Sequence, residues 1–150
     1  MNIEAFLKQR RVPFAMLPHR TEYTASRTAQ ALHVPGDHFA KTVVLNVDGR
    51  PVLAVLQATH WLNVENLKRL LGAKQVQLAS EAEIKDLFPD CELGAMPPFG
   101  SQYDMETIVD DGLAEDEQIV FDGNSHERAV QMRFYDYARI EHPHVAHIAN

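Results

Sequence analysis

The chain has 150 residues, 45% of them hydrophobic, one cysteine and a net charge of −7. That suits one domain with its own core, and excludes an internal disulfide, a multi-cysteine zinc site and the broad basic surface of a DNA-binding protein. No apolar run reaches the ~20 residues of a membrane-spanning helix. The charge is uneven, with ten Lys and Arg against five Asp and Glu in residues 1–80 and four against sixteen in residues 81–150. One face can therefore be locally basic, with Lys8, Arg10, Arg11, Lys68, Arg69 and Lys74 as contributors. The opening Met1-Asn2-Ile3-Glu4 has neither the basic nor the apolar region of a signal peptide, so a cytoplasmic protein is expected.

Ile3, Phe6 and Leu7 have helical spacing behind an Asn2 cap, and Pro13 ends that helix. Val12 to Leu17 reads as a short strand, placed at an edge by its proline. His19 to Tyr23 is polar and loop-like. A second helix runs from about Ser26 to His33 and stops at Pro35-Gly36. Ala40 to Val47 is rich in β-branched residues, Asp48-Gly49 is a type I′ turn signal, and Pro51 to Leu56 returns as the second arm of a hairpin. Val43, Leu45 and Val47 share one face while Val44 lies on the other, which predicts a strand covered on both sides.

Asn63 caps a third helix with a stripe of Val64, Leu67, Leu70 and Leu71, ended by Gly72. Lys74 to Leu78 alternates as a short strand. Ser80 and Glu83 form a capping box, opening a helix that carries Ile84, Leu87 and Phe88 up to Pro89. Strands follow at Met105–Val109 and Gln118–Phe121 with an acidic turn between them. Asp122 to Ser125 is a tight turn, Ala129–Arg133 a strand, and Phe134–Ile140 a last helix. The sequence holds no repeat and no linker, so residues 1–150 read as a single α+β domain around a mixed, partly antiparallel sheet.

Three features could carry chemistry. Gly94-Ala95-Met96-Pro97-Pro98-Phe99-Gly100 cannot be helix interior or central strand, because both prolines lack the amide hydrogen. It reads as a stiff loop whose amides at Phe99 and Gly100 are free to point at a ligand, or as an ordinary connecting bend. Lys41 starts a strand apolar on both faces, so its ammonium either snorkels to solvent or sits in a pocket for an anion. His126 follows a glycine-containing turn and is either a surface histidine or a positioned polar group. His142, His144 and His147 are split by Pro143 and suit a flexible tail better than a preformed metal site. Neither a metal nor any other cofactor is expected. No nucleophile elbow, phosphate loop, dinucleotide fingerprint or His-Glu-x-x-His is present.

Over most of its length the chain resembles the YbaK family, the editing domains associated with prolyl-tRNA synthetase. The resemblance rests on ordered blocks: His19 with Tyr23-Thr24-Ala25; Phe39-Ala40-Lys41-Thr42-Val43-Val44-Leu45; Leu67 to Gly72; the Gly94–Gly100 loop; and Val120-Phe121-Asp122-Gly123-Asn124-Ser125. It implies a barrel-like mixed sheet flanked by helices, with a pocket lined by the lysine strand and the Pro-Phe-Gly loop. It also implies hydrolysis of the ester joining a wrong small amino acid to tRNA, by a free-standing deacylase acting on the 3′ aminoacyl end, with an aminoacyl-tRNA synthetase as a further partner. Members of the family differ in removing alanine, cysteine, serine or threonine. The family's lysine falls on Lys41 and its loop glycine on Gly100. Lys41 would hold a phosphate or orient the substrate, and the amides near Phe99 and Gly100 would stabilise the oxyanion. Tyr23, Thr42, Asn46, Pro98, Phe99, Ser101 and His126 are the expected substrate-binding residues. A non-catalytic module that binds aminoacyl-tRNA, or a small-molecule hydrolase of the same fold, are the alternatives.

Overall fold

At the tip of the central hairpin Asp48 and Gly49 both take positive φ, 49° and 88°. That is the backbone a type I′ turn demands, and it matches the twist of the strands it joins. The turn is braced from outside, since the Asp48 carboxylate accepts the backbone amides of Lys74 and Gln75. The hairpin arms are β2 (Phe39–Val47) and β3 (Arg50–Gln57), paired antiparallel with Lys41 opposite Leu56 and Val44 opposite Leu53.

The computed structural model describes all 150 residues. Around the hairpin stand β1 (Phe14–Pro18), β4 (Val76–Leu78), β5 (Glu106–Asp110), β6 (Gln118–Asp122), β7 (Arg128–Arg133) and β8 (His144–Ala146). They form one eight-stranded mixed sheet in the order β1-β7-β6-β2-β3-β5-β8, with β4 added against β2. The first residues of β2 pair parallel with β6 and the last pair antiparallel with β4. β1 pairs only with β7, at an edge as its prolines require.

The helices are α1 (Ile3–Arg10), α2 (Ala25–Ala31), α3 (Val64–Leu71), α4 (Glu81–Leu87), α5 (Asp111–Ala114) and α6 (Phe134–Glu141). Their caps use the expected residues. Asn2, Thr24, Asn63 and Ser80 each accept an amide of the first turn, and Ser80 with Glu83 closes a full capping box. α3 departs from the expected stripe. Leu67 is fully buried, whereas Val64 and Leu70 are exposed, because this short helix meets the sheet along a single line.

Side-chain alternation splits the core in two. Phe39, Leu45 and Val47 of β2 face the side covered by α2 and α3, and Ala40 and Val44 face the side covered by α1, α4, α6 and the Pro-Pro loop. Two further differences from the sequence reading are local. The acidic turn after β5 is the helix α5. The histidine-rich C-terminal segment is not a loose tail, because His144–Ala146 pairs parallel with β5. No helix is long and apolar enough to cross a membrane.

Candidate active site around Lys41

Lys41 belongs to the Phe39, Val43, Leu45 face of β2, and at this end of the strand the covering helices leave a gap. The gap is a cavity of about 490 Å³ lined by Thr24, Ala25, Ser26, Lys41, Ala58, Thr59, His60 and Trp61. Thr24–Ser26 open α2, and Ala58–Trp61 leave the end of β3. The Lys41 ammonium donates a 2.6 Å hydrogen bond to the carbonyl of His60 and lies 5.5 Å from the centre of the Trp61 ring. No carboxylate pairs with it, and partial burial lowers its pKa from the ordinary lysine value. A half-buried cation without a carboxylate partner, beside Thr and Ser side chains and with no acidic residue in the lining, has the charge and the surroundings to receive an anion.

The Pro-Pro loop lies elsewhere. A Cβ on Gly100 would stand 3.2 Å from Leu53 Cδ1, and Leu53 pairs with Val44, so the Met96–Gly100 part of the loop packs on the face of the sheet opposite Lys41, while Gly94 lies against the His126 ring. Its two expected donors are occupied. The Phe99 amide donates to the Pro97 carbonyl at 2.8 Å and the Gly100 amide to Thr107 Oγ1 at 3.0 Å. Phe99 is a core residue with edge contacts to Phe6, Phe121 and Tyr137, and Pro98 accepts the Tyr137 hydroxyl. The oxyanion role expected for Phe99 and Gly100 is therefore corrected. Gly100 is required because a Cβ would meet Thr107 Oγ1 at 2.5 Å and the Met105 carbonyl at 2.8 Å.

Other expected residues are dispersed. The Ser101 amide and hydroxyl both donate to Glu141 on α6. Asn46 lies towards the far end of β2, donating to Glu83 and accepting from Gly49. Thr42 alternates to the face opposite Lys41, with its hydroxyl buried and unpartnered. Tyr23 stays close to the cavity through its neighbour Thr24. Its ring is largely exposed and packs 5.0 Å from that of His126. His126 is buried rather than a surface histidine. Its Nε2–H donates to the Leu93 carbonyl at 2.6 Å and its amide to Glu92, so it anchors the start of the loop.

The sequence reading did not single out Thr24, Ser26, His60 and Trp61 as site residues. The available signal was the chain's single tryptophan falling in a polar segment. Asp122 was also missed. It is buried with Oδ1 lacking any partner, and burial raises its pKa from 3.8 to about 7, opposed in part by His126. Asp110, Asp111 and His147 cluster at the end of β5. Asp110 already accepts from Gln57, Gly112, Ile148 and Ala149. Burial raises its pKa, but these bonds outweigh that and hold it below the ordinary value. The cluster is thus a structural knot rather than a metal centre.

Comparison with known proteins agrees with this architecture. The family model of the aminoacyl-tRNA editing domain matches residues 19–140. Proline--tRNA ligase 1 of Bacillus thuringiensis is 36% identical over 83 residues, which are 55% of this chain and 14% of the ligase. Proline--tRNA ligase of Bacillus cereus is 35% identical over the same share of each. The chain thus spans about a seventh of the length of the curated relatives it matches. The crystal structure of the hypothetical protein APE2540 superposes with a TM-score of 0.90 at 20% identity, over 100% of both chains. That of a candidate trans-editing enzyme for prolyl tRNA synthetase gives 0.85 at 19% identity, over 99% of this chain and 95% of the other. At such identities the two structures establish the shared fold.

Proposed function

The chain belongs to the aminoacyl-tRNA editing domain family, and on that premise we propose that it is a trans-editing deacylase which hydrolyses the ester of a mischarged small amino acid on tRNA. The observation that carries the reading is Lys41. A cation lacking a carboxylate partner, at the wall of a cavity of about 490 Å³, suits the phosphate-rich 3′ end of tRNA.

Aminoacyl esters are already activated, so the enzyme needs position and electrostatics more than a nucleophile. Lys41 holds the terminal nucleotide and places positive charge where the ester develops negative charge. Thr24, Ser26 and Thr59 line the same wall; the hydroxyls of Thr24 and Thr59 have a hydrogen to donate to the ribose or an attacking water, and that of Ser26 can accept. Ser26 donates to the Ala58 carbonyl, tying α2 to the end of β3 and fixing the cavity's width. A fixed width makes the cavity a size filter for the amino acid.

The occupied amides of Phe99 and Gly100 favour one second reading, a module that binds aminoacyl ends without cleaving them. A panel of tRNAs charged with alanine, cysteine, serine and threonine, assayed for ester loss, separates the two. Hydrolysis of at least one ester supports the deacylase, whereas tight binding with no hydrolysis supports the module.

A further inference from the structure

The cavity has an aromatic rim that phosphate binding and ester hydrolysis do not require. Trp61 is 78% exposed, an unusual state for the largest apolar side chain. The exposure is not that of a loose segment. The Trp61 carbonyl accepts the Asn150 amide at 2.8 Å, the next residue, Leu62, bridges to Ala149, and the Asn63 amide donates to Ile148 at 2.7 Å. A pinned backbone thus presents a bare indole beside the cavity. The Lys41 ammonium sits over the ring, which leaves the rest of its surface free.

We propose that Trp61 is a stacking platform for an unpaired base at the 3′ end of the RNA, with Lys41 beside it engaging the adjacent phosphate. This inference deepens the deacylase reading and rests on it. Single-stranded nucleic acids are held where a cation tracks the backbone and an exposed aromatic ring stacks a base, because every base has a π-face. The lining supplies both groups and contains no carboxylate to repel a phosphate, although the whole chain carries −7. A protein partner would use the same tryptophan as an apolar anchor, but would not need an uncompensated ammonium half-buried beside it.

Trp61 is the chain's single tryptophan, so its fluorescence reports the site directly. Titration with an unacylated single-stranded RNA trinucleotide should quench it. An abasic trinucleotide of the same charge should not. In deacylation of a microhelix bearing the preferred amino acid, Trp61→Ala should raise KM roughly ten- to a hundredfold with kcat largely kept. Trp61→Phe should recover most of that loss, which a role in folding alone would not predict. If the wild type hydrolyses the ester and Trp61→Ala leaves KM unchanged, the platform is refuted while the deacylase stands. If no ester is hydrolysed, the deacylase reading fails and the quench decides the platform by itself. Equal quenching by the abasic strand overturns it, as does no quenching at all. A concentration-dependent blue shift without RNA overturns it in favour of self-association through Trp61.

Discussion

Replacing Asp122 by Asn should remove a pH dependence that one buried carboxyl imposes on the fold. Asp122 is 8% exposed, its Oδ1 has no hydrogen-bond partner, and burial lifts its pKa from 3.8 to about 7 against a smaller opposing pull from His126. Between those two values the folded state holds a proton that the unfolded state has released. The contribution of Asp122 to stability therefore falls as pH rises from about 4 to about 7, and levels off above. At about 1.36 kcal/mol per pKa unit, an ionised Asp122 costs the wild type about 4 kcal/mol at pH 8. An asparagine of the same shape carries no charge and escapes that cost. Urea denaturation of both proteins at pH 5 and pH 8 gives the comparison. The advantage of Asp122→Asn over wild type should grow by about 2–3 kcal/mol between the two pH values. Parallel pH profiles would refute the reasoning, whatever the offset between them, because they would mean that Asp122 ionises in the fold as easily as in the unfolded chain.

Gly100→Ala should destabilise the protein by about 1–3 kcal/mol or more, since its Cβ meets Thr107 Oγ1 at 2.5 Å and backbone at 2.8 Å; an unchanged urea midpoint would remove the packing explanation. Tyr137→Phe should cost about 1–3 kcal/mol by leaving the Pro98 carbonyl without its buried donor. Because Met96–Gly100 pack on the face of the sheet opposite Lys41, the Tyr137→Phe variant should keep the wild-type kcat for the proposed deacylation at temperatures well below its own melting. A hundredfold loss there would return the loop to the active site.

What the sequence made legible was local. Asn2, Asn63 and the Ser80–Glu83 pair cap helices because the partner amides lie within three residues of them. Asp48-Gly49 specified its turn for the same reason. β8 was not legible, because His144–Ala146 is a strand only through pairing with Ile108–Asp110, far away in the chain. Lys41 stood out as a charge on an apolar strand, and it does line the cavity. Its neighbours Thr24, Ser26, His60 and Trp61 arrive from two other segments, joined by the register of β3 on β2 and the packing of α2. No spacing rule links them. The stiffness of the Pro-Pro loop could be read from its residues, but the bonding of its amides depended on how the chain bends back at Pro97 and between Gly100 and Thr107, which no spacing rule predicts, and that decided against the oxyanion role. The resemblance carried the family correctly and grouped into one pocket residues that the fold divides between two faces of a sheet.

The most direct test of the account is the rate of ester hydrolysis by wild type and Lys41→Met on the misacylated tRNA that the wild type prefers. Methionine keeps the length of the side chain and removes the uncompensated ammonium, so folding should be preserved. Loss of an electrostatic group acting on the reacting ester costs about 10²–10³ in rate. A fall of that size in kcat/KM, with an unchanged melting temperature, is the predicted result. Equal rates for the two proteins would contradict the assignment of Lys41 as the centre of the site.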